Sequence, residues 1–183
     1  MGRVTRRAFV GGIGVASVAA LVAPAPDAGA SQGAAASPGA VLQPGEGLRI
    51  PPTPDGRVVT IKVDSEATPR AKMSMIAEDI PPNGEIKVHL HQREDEIIYI
   101  RTGSGVATLG EREMPVTAGA TIYVPQGVWH GLRNTGTAPL GMSATYSPPG
   151  FEQIFKQRLL RPNRTPAEIE ADRKKYGIVY RTP

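Results

Sequence analysis

Glu85-Ile86-Lys87-Val88-His89-Leu90-His91, followed by Gln92-Arg93-Glu94-Asp95-Glu96-Ile97-Ile98-Tyr99-Ile100-Arg101, is the stretch on which the fold turns. The first seven residues alternate with the period of a β-strand, so His89 and His91 fall on one face and Ile86, Val88 and Leu90 on the other. Imidazoles at i and i+2 stand side by side and can converge on one ion. Glu96 follows a short turn, and a hairpin would return its carboxylate to the same place. Because both faces of the strand call for burial, one is expected to face a barrel interior and the other a covering layer or a second copy of the chain. A homodimer is the expectation.

Outward from this strand the pattern continues. Val59, Ile61 and Val63 alternate, and Lys72 to Ala77 reads as extended with Met73 and Met75 on one side. The turn Pro81-Pro82-Asn83-Gly84 leads into the histidine strand. Further strands are expected at Asp95–Arg101, Gly105–Leu109, Thr121–Val124, Gly131–Asn134 and Leu140–Tyr146. Runs this short, bounded by Gly and Pro, mark an all-β barrel or sandwich rather than a helix bundle. Helical spacing begins only at Phe151, Ile154, Phe155 and Leu159, with Arg158 and Arg161 near the helix end. A second helix is announced by Thr165-Pro166-Ala167-Glu168, which combines an N-cap threonine, a first-turn proline and a capping-box glutamate.

The chain of 183 residues has the size of one domain, and 40% hydrophobic residues suffice for one core. Its formal charge is +4, but setting aside Arg3, Arg6, Arg7 and Asp27 leaves 18 basic against 16 acidic residues. That balance is no nucleic-acid signature, and the basic cluster of Arg158, Arg161, Arg164, Arg173, Lys174 and Lys175 reads as a solvated helical face. Cysteine is absent, which removes disulfides, thiolate catalysis and zinc-thiolate sites. Any metal must be held by nitrogen and oxygen.

All three histidines lie between residues 89 and 130. Gly84, His89, His91, Glu96 and Gly103 resemble the first motif of the cupin family in their spacing, with Gly84 one residue nearer to His89 than usual. Gly119, Pro125, Gly127, His130 and Asn134 resemble the second. The resemblance spans roughly residues 55–150. It implies a jelly-roll β-barrel, here with one or two C-terminal helices, and a metal held by His89, His91, Glu96 and His130. One divalent transition metal, Fe, Mn, Ni, Cu or Zn, suits that donor set, with one or two positions left open. Dimers are common in the family.

The resemblance extends loosely to quercetin-dioxygenase-like cupins. It implies an oxidoreductase acting on a small, largely apolar or phenolic molecule, in which Glu96 both ligates and takes a substrate proton. Met73, Met75, Ile98, Met142 and Tyr146 are the candidate pocket residues. The alternatives are a non-redox isomerase or lyase, which would need a charged anchor, or a metal-dependent binding module without turnover. Lys87, Arg101 and Arg133 are the cations considered for that anchor, though parity turns both arginines from the ligand face.

The first thirty residues read as an address. Thr5-Arg6-Arg7-Ala8-Phe9-Val10 resembles a twin-arginine export signal, and the uncharged stretch to Ala23 is short and rich in glycine for a membrane span. Ala28-Gly29-Ala30 offers a cleavage site. The expectation is a protein exported folded to the periplasm or beyond, without lasting membrane association. Residues 31–54, rich in Ala, Gly, Ser and Pro, are expected to be a flexible linker, 55–150 the barrel and 151–183 a helical extension.

Overall fold

The computed structural model describes residues 39–182 apart from Pro69, so the expected export signal lies outside the described residues. Eleven strands and two helices follow one another among the described residues. They are β1 (Leu48–Arg49), β2 (Val58–Val63), β3 (Ser74–Ile80), β4 (Glu85–His91), β5 (Asp95–Thr102) and β6 (Ser104–Leu109). Then come β7 (Arg112–Thr117), β8 (Thr121–Val124), β9 (His130–Asn134), β10 (Leu140–Ser147), α1 (Gln153–Leu160), α2 (Pro166–Lys175) and β11 (Ile178–Tyr180).

The strands form two antiparallel sheets, one in the order β1-β2-β3-β10-β5-β8 and the other β11-β4-β9-β6-β7. This is a jelly-roll β-barrel. The alternation of each strand decides which residues it buries: Val59 and Ile61 on β2, Ile76 and Ile80 on β3, Ile98 and Ile100 on β5, and Leu140 and Met142 on β10 meet in one core. Each such side chain, fully buried, contributes roughly 1.5–3 kcal/mol.

Four features depart from the sequence expectation. First, β4 and β5 lie in different sheets, so Gln92-Arg93-Glu94 is a crossing between layers and not a hairpin turn. Both strands carry a face that needs the interior, and a corner lets each have it. Second, β4 slips register between Ile86 and His89: Ile86 pairs with Leu132 and His89 with His130, leaving one extra residue on β4. The bulge turns Ile86 onto the same inner face as His89, whereas strict alternation put it opposite. Third, the stretch expected to be linker contains β1, and Ile50 is fully buried. Fourth, the helical extension returns as β11, which pairs with the histidine strand through Ile178 to His91 and Tyr180 to His89.

Tight backbone approaches shape the strand that carries the last histidine. A Cβ on Gly131 would stand 2.9 Å from the Ile86 carbonyl, so only glycine lets β9 lie this close to the bulge. Gly127, at φ +77°, completes the turn before it and donates its N–H to the His91 carbonyl at 2.8 Å.

The helices close one side of the barrel. α1 is anchored by Glu152, which is buried and accepts from the Ser65 and Gly150 amides at 3.0 and 2.8 Å, and by Lys156, paired with Asp64 at 2.8 Å. α2 has the expected capping box: Thr165 Oγ1 accepts from the Glu168 amide, and Glu168 accepts from the Thr165 amide at 2.8 Å. Among the described residues no helix is long and apolar enough to cross a membrane.

Candidate metal centre

His89 and His91 end β4, His130 begins β9 beside it, and Glu96 reaches in from β5 in the facing sheet. One ligand atom from each of the four lies within 4.8 Å of all the others, and all four residues are buried. The ring centroids of His89 and His130 are 4.2 Å apart, and those of His89 and His91 are 5.0 Å apart. Glu96 Oε2 is 2.8 Å from His130 Nε2 and 3.3 Å from His91 Nε2.

Two of the rings are fixed in the same way. His89 Nδ1 donates to the Lys87 carbonyl at 2.8 Å and His130 Nδ1 to the Val128 carbonyl at 2.9 Å, which aims each Nε2 at the centre. His91 is held by packing instead, its ring edge-on to Phe151 at 4.2 Å and to Tyr146 at 5.4 Å.

The donor set passes a direct test of fit to a metal. His91 Nε2, His130 Nε2 and Glu96 Oε2 are buried, and none has a hydrogen-bond partner with proper alignment. Each such atom costs roughly 1–3 kcal/mol unless something satisfies it. A cation between them satisfies all of these at once, and three imidazoles with one carboxylate suit a divalent transition ion.

Protonation favours ligation at His89 and Glu96 and opposes it at His130. Burial, with His130 and His91 adjacent, pushes His89 down to about 3, so it stays neutral. Burial would raise Glu96, but contact with His130 and His91 outweighs it and holds the carboxyl far below its usual range. Burial likewise opposes charge on His130, yet Glu96 carries it above the ordinary histidine value. A carboxylate held ionised is ready to ligate a cation.

His89, Glu96 and His130 line a cavity of about 130 Å³, room for a small organic molecule rather than a single water. Ile98, Met142 and Tyr146 line it as expected. Met73 and Met75 do not: β3 buries Ser74, Ile76, Glu78 and Ile80, so the odd-numbered methionines face outward and Met73 is 53% exposed. Lys87, Arg101 and Arg133 are also exposed and outside the cavity.

Several lining residues escaped the sequence reading. Glu78 is buried, paired with Arg57 at 3.0 Å, and raised by burial to about 7 despite that partner. Its signal was an acid on the same alternate positions as Ile76 and Ile80. Arg158, one turn from Ile154 and Phe155, takes the place on the α1 stripe assigned to Leu159, which is 41% exposed. Arg164 and Arg173 complete the mouth with Tyr180. Asn134 braces a turn: its side-chain amide donates to the Ile80 and Ala138 carbonyls, both at 2.9 Å, and its oxygen accepts from the Gly136 amide.

A two-sheet barrel with a buried three-histidine, one-glutamate cluster defines the class to which the comparisons also point. The Cupin domain family model matches residues 77–146. An uncharacterised protein of Methanocaldococcus jannaschii is 30% identical over 97 residues, 53% of this chain and 78% of that one. The chain belongs to the cupin superfamily. It is also similar to an oxalate-binding protein of Thermotoga maritima, 34% identical over 61 residues, 33% of this chain and only half of that relative's length. Among solved structures, a predicted oxalate decarboxylase from Thermotoga maritima has a TM-score of 0.48 at 27% identity, over 50% of this chain and 80% of that one. KdgF from a Halomonas species has a TM-score of 0.49 at 18% identity, over 57% and 91%.

Proposed function

We propose that this cupin is an exported, metal-dependent enzyme of the dioxygenase-like oxidoreductase kind, acting on a small organic molecule bound in the cavity beside the cluster. The observation that carries the reading is the convergence of four buried ligands from two sheets, three of which line a cavity. His89, His91, Glu96 and His130 would hold a divalent ion, which would supply a Lewis-acid centre and, if iron, manganese, nickel or copper, one-electron chemistry. Ile98, Met142 and Tyr146 exclude water from that end and give a substrate's apolar body a wall. Export rests on Arg6-Arg7 and the uncharged stretch after them.

A non-redox reading, as an isomerase or lyase, is favoured by Glu78. It is a buried carboxyl on the cavity wall outside the donor set, and Arg57 fixes it there to give or take a proton. The relative described as oxalate-binding supports a small acid as substrate for either reading.

A homodimer is part of this proposal, through a surface different from the one expected. Ile97, Tyr99 and Tyr123 are 48%, 46% and 56% exposed on the outer face of the six-stranded sheet. Ile97 and Tyr123 are register partners there, with Thr145 on the other side of Ile97, opposite Met75. A contiguous apolar patch of this kind suits a second copy.

Metal analysis of the purified chain against His89→Ala tests the enzyme reading. About one iron, manganese, nickel or copper per chain, absent from the variant, is the expected result, followed by oxygen consumption with enolisable phenols. Zinc instead would bring forward the non-redox reading, and no metal in either protein would sink both.

A further inference from the structure

Arg57, Arg158, Arg164 and Arg173 all border the cavity. Three of them have acidic partners: Arg57 with Asp55 and Glu78 at 2.9 and 3.0 Å, Arg164 with Asp172 at 2.6 Å, and Arg173 with Glu170 at 3.1 Å. Arg158 has none among the described residues. Its one hydrogen bond is to the Pro51 carbonyl at 3.5 Å, the limit of such a contact. It is half-buried, and burial together with the Arg57 and Arg164 charges works against its own and outweighs the pull of Glu78 and Asp55. A guanidinium held in a cleft beside two others is costly unless an anion completes it.

We infer that the outer part of the cavity is a subsite for the oxyanion group, carboxylate or phosphate, of a small organic ligand, with Arg158 as its principal donor and Arg57 and Arg164 reinforcing it. The planar fork of arginine matches either group with two parallel hydrogen bonds. Depth orders the two ends: the histidines are 2–5% exposed, while Arg158 stands nearer solvent. Between them Phe151, Ile154 and Phe155 of the α1 segment supply apolar wall. The ligand therefore has an anionic end, a short apolar body and an oxygen-bearing end directed at the cluster. This subsite rests on the reading of the cavity as a ligand site, and it does not depend on which metal is bound.

The test is calorimetric titration of the metal-stripped full chain with benzoate, succinate and inorganic phosphate at fixed ionic strength, in wild type, Arg158→Gln, Arg158→Lys and Arg112→Gln, an exposed arginine of β7 outside the cavity. Wild type and Arg112→Gln are expected to bind at least one probe saturably and alike. Arg158→Gln should bind it roughly tenfold or more weakly, the loss of one charge-assisted pair, and Arg158→Lys should fall between. Preference for a carboxylate or for phosphate assigns the source of the oxyanion. No saturable binding to wild type, equal binding to Arg158→Gln, or an equal loss in Arg112→Gln would each overturn the subsite. If Arg158→Gln fails to fold, Arg158→Lys decides: undiminished affinity for every probe overturns the proposal. Metal content, measured separately on the same proteins, reports on the enzyme reading alone.

Discussion

His89 and His130 are register partners across β4 and β9, and each ring is fixed by an Nδ1 hydrogen bond to the carbonyl two residues before it. The two are nonetheless tuned apart, since His89 is neutral down to about 3 while Glu96 holds a proton on His130 above the ordinary histidine value. His130 is therefore the group whose proton a metal must displace. In a competition titration with zinc, apparent affinity is expected to fall about tenfold per pH unit below that raised value and to level off above it. A flat profile from pH 5.5 to 8 would show that His130 carries no proton in the empty site.

Glu78 offers a stability measurement independent of metal. Its folded value of about 7 lies above the 4.5 of an unfolded carboxyl, so the folded state binds the extra proton. The sign follows: the wild type loses stability as pH rises from 4.5 through 7, by up to about 3 kcal/mol. Denaturation of metal-stripped Glu78→Gln should lack this loss, so the variant gains relative to wild type between pH 5 and 8. A constant difference across that range would mean that Arg57 keeps Glu78 ionised throughout.

Gly131→Ala places a methyl 2.9 Å from the Ile86 carbonyl. The strands must part at the bulge, for a cost of roughly 1–3 kcal/mol, and the His89–His130 pairing one residue away should loosen with them. Thermal denaturation with and without metal checks this; an unchanged melting temperature in both would show that the sheet gives freely at this point.

Ile97→Lys and Tyr123→Lys both put charge on the outer face of the six-stranded sheet without touching its core. Sedimentation is expected to show a dimer for wild type and a monomer for each variant, with melting in dilute solution shifted by no more than the lost association accounts for. A wild-type monomer at micromolar concentration would remove the dimer from the proposal.

Replacement of Arg6-Arg7 by Lys-Lys should retain the full-length chain in the cytoplasm of a host with a twin-arginine pathway, whereas the unaltered chain appears outside it in processed form. Equal export of both would point to another route.

The fold was legible because the residues that decide it are local. Alternation in β2, β4, β5 and β10, the turn at Pro81–Gly84 and the Thr165 capping box each act within a few positions, and the three histidines and Glu96 appear together with their spacing. What escaped depended on distant partners. β7 contains Pro115 and the charged Arg112-Glu113 and is a strand only because β6 pairs with it. β11 has three residues and exists by pairing with β4. The sheet crossing at 92–94 and the bulge before His89 follow from which layer accepts each strand, and spacing along the chain says nothing of that. The placing of Met73 and Met75 failed for a smaller reason: starting β3 at Lys72 drew attention to the methionines and away from Glu78, which shares its face with two buried isoleucines.

The two sheets have four outer strands, and none presents a long free ladder. β1 has two residues, β11 three and β8 four, while β7 is interrupted by Pro115 and carries charge at its start. Strand addition, the usual route from a β-rich fold to fibrils, finds no template on these margins. Encounters between copies are thereby confined to broad sheet surfaces, where contact is reversible. A protein so bounded can be concentrated, or carried folded through a crowded passage, without its barrels fusing rim to rim.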